Sequence, residues 1–96
     1  MIAKEIKEAI IKQIEITEYN NNGCKYTNGE VSVDVTEINE EENSITATVT
    51  IIDGAERNHK ETWSNCTYDL KEMIDWIVKN KLIDVRAIKL IDVNKP

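Results

Sequence analysis

The fold is decided by residues 31–51, which read VSVDVTEINEEENSITATVTI. Two runs in this stretch alternate apolar and polar side chains, as strands with one buried face do. The polar residues 39–43 between the runs predict a turn, and a hairpin centred on Glu41 places Val35 opposite Ala47. Every inward-facing residue is then apolar. Because a slip of one residue would invert every side chain, the pattern specifies its own register.

The outward face of this hairpin is polar. The same register predicts five further pairs: Val31 with Ile51, Val33 with Val49, Ser32 with Thr50, Asp34 with Thr48 and Thr36 with Thr46. Threonine is a good strand former, so a solvated sheet face accounts for this surface without any function. The functional alternative is a flat polar surface that docks on a basic protein. Its candidate residues are Asp34, Thr46 and Thr48, extended at the tip by Glu37, Glu40, Glu41 and Glu42.

Helical patterns lie on both sides of the hairpin. Residues 2–15 place isoleucine and alanine side chains on one stripe, and the run Asn20–Gly23 ends that helix. After the hairpin, Asp69 followed by Glu72 has the form of a capping box, and an apolar stripe continues to about Asn80. An amphipathic helix is therefore predicted at each position.

Three further segments complete the predicted order. A loop leads to the hairpin through Gly29, with a short extended piece around residues 24–26 as an option. A third strand is predicted from about Lys60 to Cys66, although its alternation is poor. Residues 85–93 are β-branched and apolar on both faces, which predicts a final strand buried on both sides, with a short helix as the alternative.

These elements predict one α+β domain spanning residues 1–96, in the order α-β-β-β-α-β. The sheet is expected to be mostly antiparallel, with both helices packed on one face and the other face open. Helix, three strands, helix is also the order of the double-stranded RNA-binding domain. Such a domain directs lysine and arginine at phosphates, and here the hairpin is acidic.

Negative charge is concentrated in the hairpin region. Residues 30–56 hold eight acidic residues and no lysine or arginine, whereas the whole chain of 96 residues has a net charge of −6. A field of one sign steers and selects charged partners. The charge pattern therefore predicts a basic protein as partner and no direct binding to nucleic acid.

Composition and cysteine usage bound the setting. With 41% hydrophobic and 31% charged residues, the chain has the composition of a soluble globular domain. It has no apolar run long enough to span a membrane, and its opening residues lack the layout of a signal peptide, so a cytoplasmic location is expected. In that compartment Cys24 and Cys66 are expected to be free thiols.

No motif predicts catalysis or a cofactor. Cys24, His59 and Cys66 are the soft ligands of the chain, too few and too widely spaced for a zinc site. Cys66 and His59 are the available nucleophile and base, but seven residues apart on one strand they would point to opposite faces. We therefore expect no enzyme activity, no metal and no cofactor.

Two positions are open for Trp63, which lies in the polar run of residues 61–65. A large aromatic side chain there suits either the core or an exposed interface anchor. We include Trp63 among the candidate partner-binding residues. Trp76 falls at the edge of the second helical stripe, which favours partial burial.

Isoleucine, asparagine, lysine and glutamate supply almost half of the residues, and phenylalanine is absent. A short, acidic chain of this composition, without catalytic motifs, resembles the phage-encoded inhibitors of bacterial defence, the anti-CRISPR proteins among them. The resemblance implies an inhibitor that occupies the basic groove of a defence nuclease, by nucleic-acid mimicry or by occlusion. A different class is also open: a small structural or assembly protein that forms homodimers through its sheet face or an edge strand.

Overall fold

The fold comes from a computed structural model that describes residues 3–52, 54 and 60–83. Its elements are α1 (Lys4–Asn21), α2 (Cys24–Thr27), β1 (Glu30–Asn39), β2 (Ser44–Ile52), β3 (Lys60–Asp69) and α3 (Leu70–Lys79). The α+β class and the predicted order from the first helix to the last helix are confirmed. The final strand predicted at residues 85–93 and the candidate base His59 lie outside the described residues.

The three strands form an antiparallel sheet in the order β1-β2-β3. β1 and β2 pair as predicted from their open end up to the Val35–Ala47 pair, with Asp34 opposite Thr48. The alternation of apolar and polar residues therefore fixed the register over this part of the hairpin correctly.

A bulge at Thr36 shifts the register near the turn. Past it, Glu37 lies opposite Thr46, and Ile38 lies opposite Ile45. The predicted Thr36–Thr46 pair is therefore wrong, although the Thr36 hydroxyl still donates a hydrogen bond of 3.2 Å to the Thr46 carbonyl oxygen. The reason is burial: in the predicted register Glu37 would face the core opposite Ile45, whereas the extra residue turns Glu37 outward and Ile38 inward.

β3 confirms the predicted third strand and extends it to Asp69. A second register shift interrupts its pairing with β2, where Asn65 adopts a left-handed backbone with φ of 59°. As a result Trp63 and Cys66, three residues apart, both pair with inward-facing residues of β2. This irregularity explains the poor alternation of the sequence.

The core lies between one face of the sheet and the helices α1 and α3. The buried side chains of β2 are Ile45, Ala47 and Val49, and those of the helices include Ile6, Ile10 and Ile14 of α1 and Leu70, Met73 and Ile77 of α3. Removing one large aliphatic side chain from water contributes about 1.5–3 kcal/mol. This layer is therefore the main source of stability, and the side chains on the opposite sheet face are half-exposed or exposed.

The segment between α1 and the hairpin differs from its prediction. Residues 20–23 end α1 as expected, and Gly23 adopts a left-handed φ of 66°. The next residues form the one-turn helix α2 and not a loop with an extended piece. This turn buries Cys24, and the N–H of Gly29 donates a hydrogen bond of 2.9 Å to its carbonyl oxygen.

A partly buried polar contact joins α1 to Asn80, the exposed residue that follows α3. Gln13 is 4% exposed. Its Oε1 accepts a hydrogen bond of 2.7 Å from Asn80 Nδ2, and its Nε2 donates to Thr17 Oγ1 at 3.1 Å. Burying an amide without hydrogen-bond partners lowers the free energy of unfolding by about 1–3 kcal/mol. The two bonds of Gln13 avoid this cost.

Deleting Thr36 should be tolerated. The deletion removes the bulge while Glu37 stays outward and Ile38 stays inward, so the free energy of unfolding should fall by about 1 kcal/mol or less, mainly from the lost Thr36 hydrogen bond. Deleting Asp34 instead should cost several times more, because Val35 would then point outward. Urea unfolding of the two variants measures the difference, and equal losses would contradict the bulge.

Candidate protein-binding surface

The sheet face that points away from the core carries the candidate residues of the hairpin. We call it the outer face. Thr46, Thr48 and Thr50 lie along its central strand, each half-exposed. Their cross-strand neighbours are hydroxyl or carboxyl side chains: Ser32, Asp34 and Glu37 on β1, and Thr62 and Thr67 on β3. The outer face is therefore a hydroxyl surface with carboxylates along its β1 border.

Exposed carboxylates follow β1 and the turn after it. We call this set the acidic edge; its members are Asp34, Glu37, Glu40, Glu41 and Glu42, all of them exposed. Asp34 and Glu37 both point outward because the bulge between them corrects the alternation. The structure thus brings all five predicted acidic residues to one border and one end of the hairpin, beside Thr46 and Thr48.

Along β1 the acidic edge is less densely charged than a nucleic acid. At about 3.3 Å per residue, Asp34 and Glu37 lie about 10 Å apart, whereas Glu40, Glu41 and Glu42 are consecutive in the turn. Each strand of duplex DNA carries one charge per about 3.4 Å of helix axis. The spacing of the carboxylates along β1 suits a patch of separate basic side chains better than it reproduces a phosphate backbone.

Two asparagines fix the turn that carries three of these carboxylates. Asn39 Oδ1 accepts a hydrogen bond of 3.0 Å from the N–H of Glu42. Asn43 closes the turn with a left-handed φ of 54°, a conformation that asparagine tolerates well, and its N–H donates to the Glu40 carbonyl oxygen at 3.3 Å. The turn is therefore held at both ends by its own residues.

Asn43 also attaches the turn to α3. Its carbonyl oxygen accepts the N–H of Leu70 at 3.1 Å, and its Oδ1 accepts the N–H of Lys71 at 2.8 Å. Asp69 Oδ1 accepts the N–H of Glu72 at 2.9 Å, as the capping pattern predicted. Three of the four N–H groups that a helix leaves without helical partners at its start are thereby bonded. The acidic turn is consequently docked on the start of a helix.

The same contacts favour the charged form of Asp69. Hydrogen bonds from the N–H of Glu72 and from Asn43 hold the pKa of this carboxyl below its ordinary value of 3.8, with smaller contributions from Lys71. A charged carboxylate at a helix start also interacts favourably with the helix dipole.

The structure does not bring Trp63 to the outer face. Trp63 pairs with Val49 on the opposite side of the sheet and packs, half-buried, against the core. Trp76 packs there as well. Tyr68 lies on the same side, where burial, with a contribution from Glu18, raises its pKa well above the ordinary value. Of the two alternatives for Trp63, this packing favours the core.

A groove of about 530 Å³ lies beside the acidic edge, and no sequence pattern predicted it. Its lining consists of residues 35–41 and of Lys7 from α1, whose side chain is exposed. Lys7 belongs to the polar flank of the α1 pattern, and only the packing of α1 on β1 places it near the hairpin. One basic side chain therefore stands across the groove from the carboxylates.

The remaining chemistry-bearing groups are dispersed. Cys24 is buried and Cys66 half-buried, and both are free thiols. Across residues 3–52, 54 and 60–83, no three His, Cys, Asp or Glu side chains lie close enough together to hold a metal ion. Within the same ranges, no helix is both long and apolar enough to cross a membrane.

No protein-family model matches this chain, and neither the curated proteins nor the solved structures contain a significant match. The chain's function has to be inferred from its own residues.

Replacing Asn43 should separate the contribution of its left-handed backbone from that of its side-chain hydrogen bonds. Asn43→Gly keeps the left-handed backbone at no steric cost and loses the side-chain bonds to Lys71 and Asp69, whereas Asn43→Ala loses the same bonds and also forces a residue with a Cβ into that conformation. We expect Asn43→Ala to lower the free energy of unfolding by about 1 kcal/mol more than Asn43→Gly does. Urea unfolding checks this, with Asn43→Asp as the control that keeps an acceptor oxygen.

Acid should weaken the attachment of the turn through Asp69. Because the folded-state pKa of Asp69 lies below 3.8, its contribution to stability is complete above that value and is lost as the pH falls through the folded-state pKa. Asp69→Asn keeps an acceptor for the N–H of Glu72 but cannot titrate. Urea midpoints measured from about pH 6 to about pH 2 should therefore fall further in the unmodified chain than in Asp69→Asn. Parallel curves would contradict the assignment.

Proposed function

We propose that this chain is a non-catalytic protein-binding module that presents its acidic hairpin to a basic surface of a partner. The observation that carries the proposal is the acidic edge, in which five exposed carboxylates share one strand and one turn. Complementary charge raises association rates and selects among partners. Because Asn43 docks the turn on α3, little conformational entropy is lost when a partner binds.

A specific form of this proposal is an inhibitor of a bacterial defence nuclease, of the anti-CRISPR type. Such an enzyme offers a basic channel for nucleic acid, and a rigid acidic hairpin is a suitable ligand for it. The carboxylate spacing of about 10 Å along β1 favours occlusion of the channel over close mimicry of the nucleic acid. The proposal places the chain in the cytoplasm with its partner and includes no direct contact between the chain and nucleic acid.

Self-association through a strand edge is the weaker alternative. β1 and β3 are the outer strands of the described sheet. β3 is interrupted at Asn65, and such bulges protect sheet edges from pairing. Two β1 strands side by side would place Glu30, Asp34 and Glu37 near the same residues of the second copy, and like charges oppose that arrangement.

The proposal is tested by affinity capture from host lysate. The tagged chain should retain a basic protein at low salt and release it at moderate salt. At moderate salt, attraction between exposed charges is screened beyond about 8–10 Å. Glu41→Gln combined with Glu42→Gln should abolish capture. A salt-resistant homodimer, found by sedimentation in place of any partner, would favour self-assembly.

The matched control removes the same charge from the helices. Glu8 of α1 and Asp75 of α3 are exposed and lie outside the acidic edge. Glu8→Gln combined with Asp75→Asn should retain the partner at the same salt concentration as the unmodified chain. Equal loss in both double variants would reduce the acidic edge to one part of a general charge effect.

A further inference from the structure

We propose that β1 binds an extended segment of the partner as an added strand, and that this segment alternates lysine or arginine with aliphatic residues. The inference rests on the proposed function and specifies which element of the partner is recognised. In strand addition, main-chain hydrogen bonds supply affinity and alternate side chains supply specificity.

The backbone of β1 is suited to such pairing. In the described sheet β1 pairs with β2 and forms one border. Its residues Glu30–Val35 keep an unbroken register with β2 before the bulge at Thr36. In a border strand, alternate N–H and C=O groups point away from the sheet and can pair with an added strand. Glu30–Val35 therefore offers a regular pairing edge of six residues.

The side chains of β1 explain the alternation we infer. Glu30 and Asp34 are exposed on the outer face. Side chains of an added strand on that face would lie about 5 Å from them, a distance at which opposite charges stabilise a strand pair. On the other face Val31 and Val33 are half-buried, so apolar surface remains there for aliphatic side chains of the segment to cover.

The groove indicates which face of the added strand carries the basic residues and which carries the aliphatic ones. Its lining begins at Val35, where the regular part of β1 ends, and includes Lys7 on the wall formed by α1. The carboxylates of the lining lie farther along the hairpin, Glu37 on the outer face and Glu40 and Glu41 in the turn. On the wall nearest α1, a basic side chain would approach Lys7, whereas an aliphatic one would cover Val35. Basic residues of the segment are therefore placed on the outer face, and aliphatic residues toward α1.

Charge also excludes a second copy of this chain as the added strand. Glu30 and Asp34, which attract a basic segment, would lie close to the carboxylates of the second copy if two β1 strands paired. The occupant inferred here is thus a partner segment of opposite charge.

The test uses the full chain and a short labelled peptide that alternates arginine with valine, followed by fluorescence anisotropy. Methylating the peptide nitrogens of every second residue blocks main-chain pairing along one edge of the peptide and leaves its charge unchanged. Methylation of the residues whose N–H groups pair with β1 should weaken binding about tenfold or more, whereas methylation of the alternate residues should have little effect. Asp34→Asn should weaken binding about threefold, and Asp75→Asn should leave it unchanged.

The outcomes distinguish this inference from the proposed function. If both methylated peptides and a shuffled peptide bind as well as the parent, strand addition is overturned while docking by charge stands. If the lysate partner is captured but no arginine–valine peptide binds, the inference is again overturned and the proposed function survives. Loss of capture together with absence of peptide binding would overturn both.

Discussion

The hydrogen bonds of Asn43 are the interaction on which the arrangement of this protein depends. This residue ends the hairpin turn and supplies two acceptors to the first N–H groups of α3. Because one residue serves both elements, the acidic turn and the helix that closes the core cannot move independently. The packed core therefore holds the charged residues of the turn in place, whereas the same residues on an isolated hairpin would be mobile.

The two faces of the sheet differ in composition and in exposure to solvent. The inner side buries aliphatic residues against α1 and α3, while the outer side exposes hydroxyl and carboxyl groups. The bulge at Thr36 makes this division possible near the turn, since it lets Ile38 enter the core without drawing Glu37 in with it. Residues of the outer face can therefore vary on this scaffold while the core stays the same.

Local patterns in the sequence predicted the fold well where one period held. The alternation around Val35 determined the register, and Asp69 with Glu72 marked the start of α3. The bulge was not predicted, because a regular hairpin satisfies the alternation from Val31 to Val35 and fails only at Glu37. Only the cost of burying Glu37 decides between the two registers.

Other features depend on contacts between distant parts of the chain. A four-residue helix such as α2 has no period to detect, and the interruption at Asn65 hid the side on which Trp63 lies. The position of Lys7 beside the acidic edge follows from the packing of α1 and from no local pattern. The exposure of Glu40, Glu41 and Glu42, in contrast, could be predicted from the sequence, because residues of a polar turn face solvent whichever register the strands adopt.

The buried amide of Gln13 has a consequence for the geometry of the helix pair. Aliphatic contacts have no preferred direction, whereas the hydrogen bond from Asn80 Nδ2 to Gln13 Oε1, 2.7 Å long, requires its atoms to meet within a narrow range of distance and angle. An apolar residue in place of Gln13 would remove this directional contact even if the protein gained stability. Gln13 thus adds to the aliphatic core a contact that favours one alignment of the middle of α1 with the end of α3.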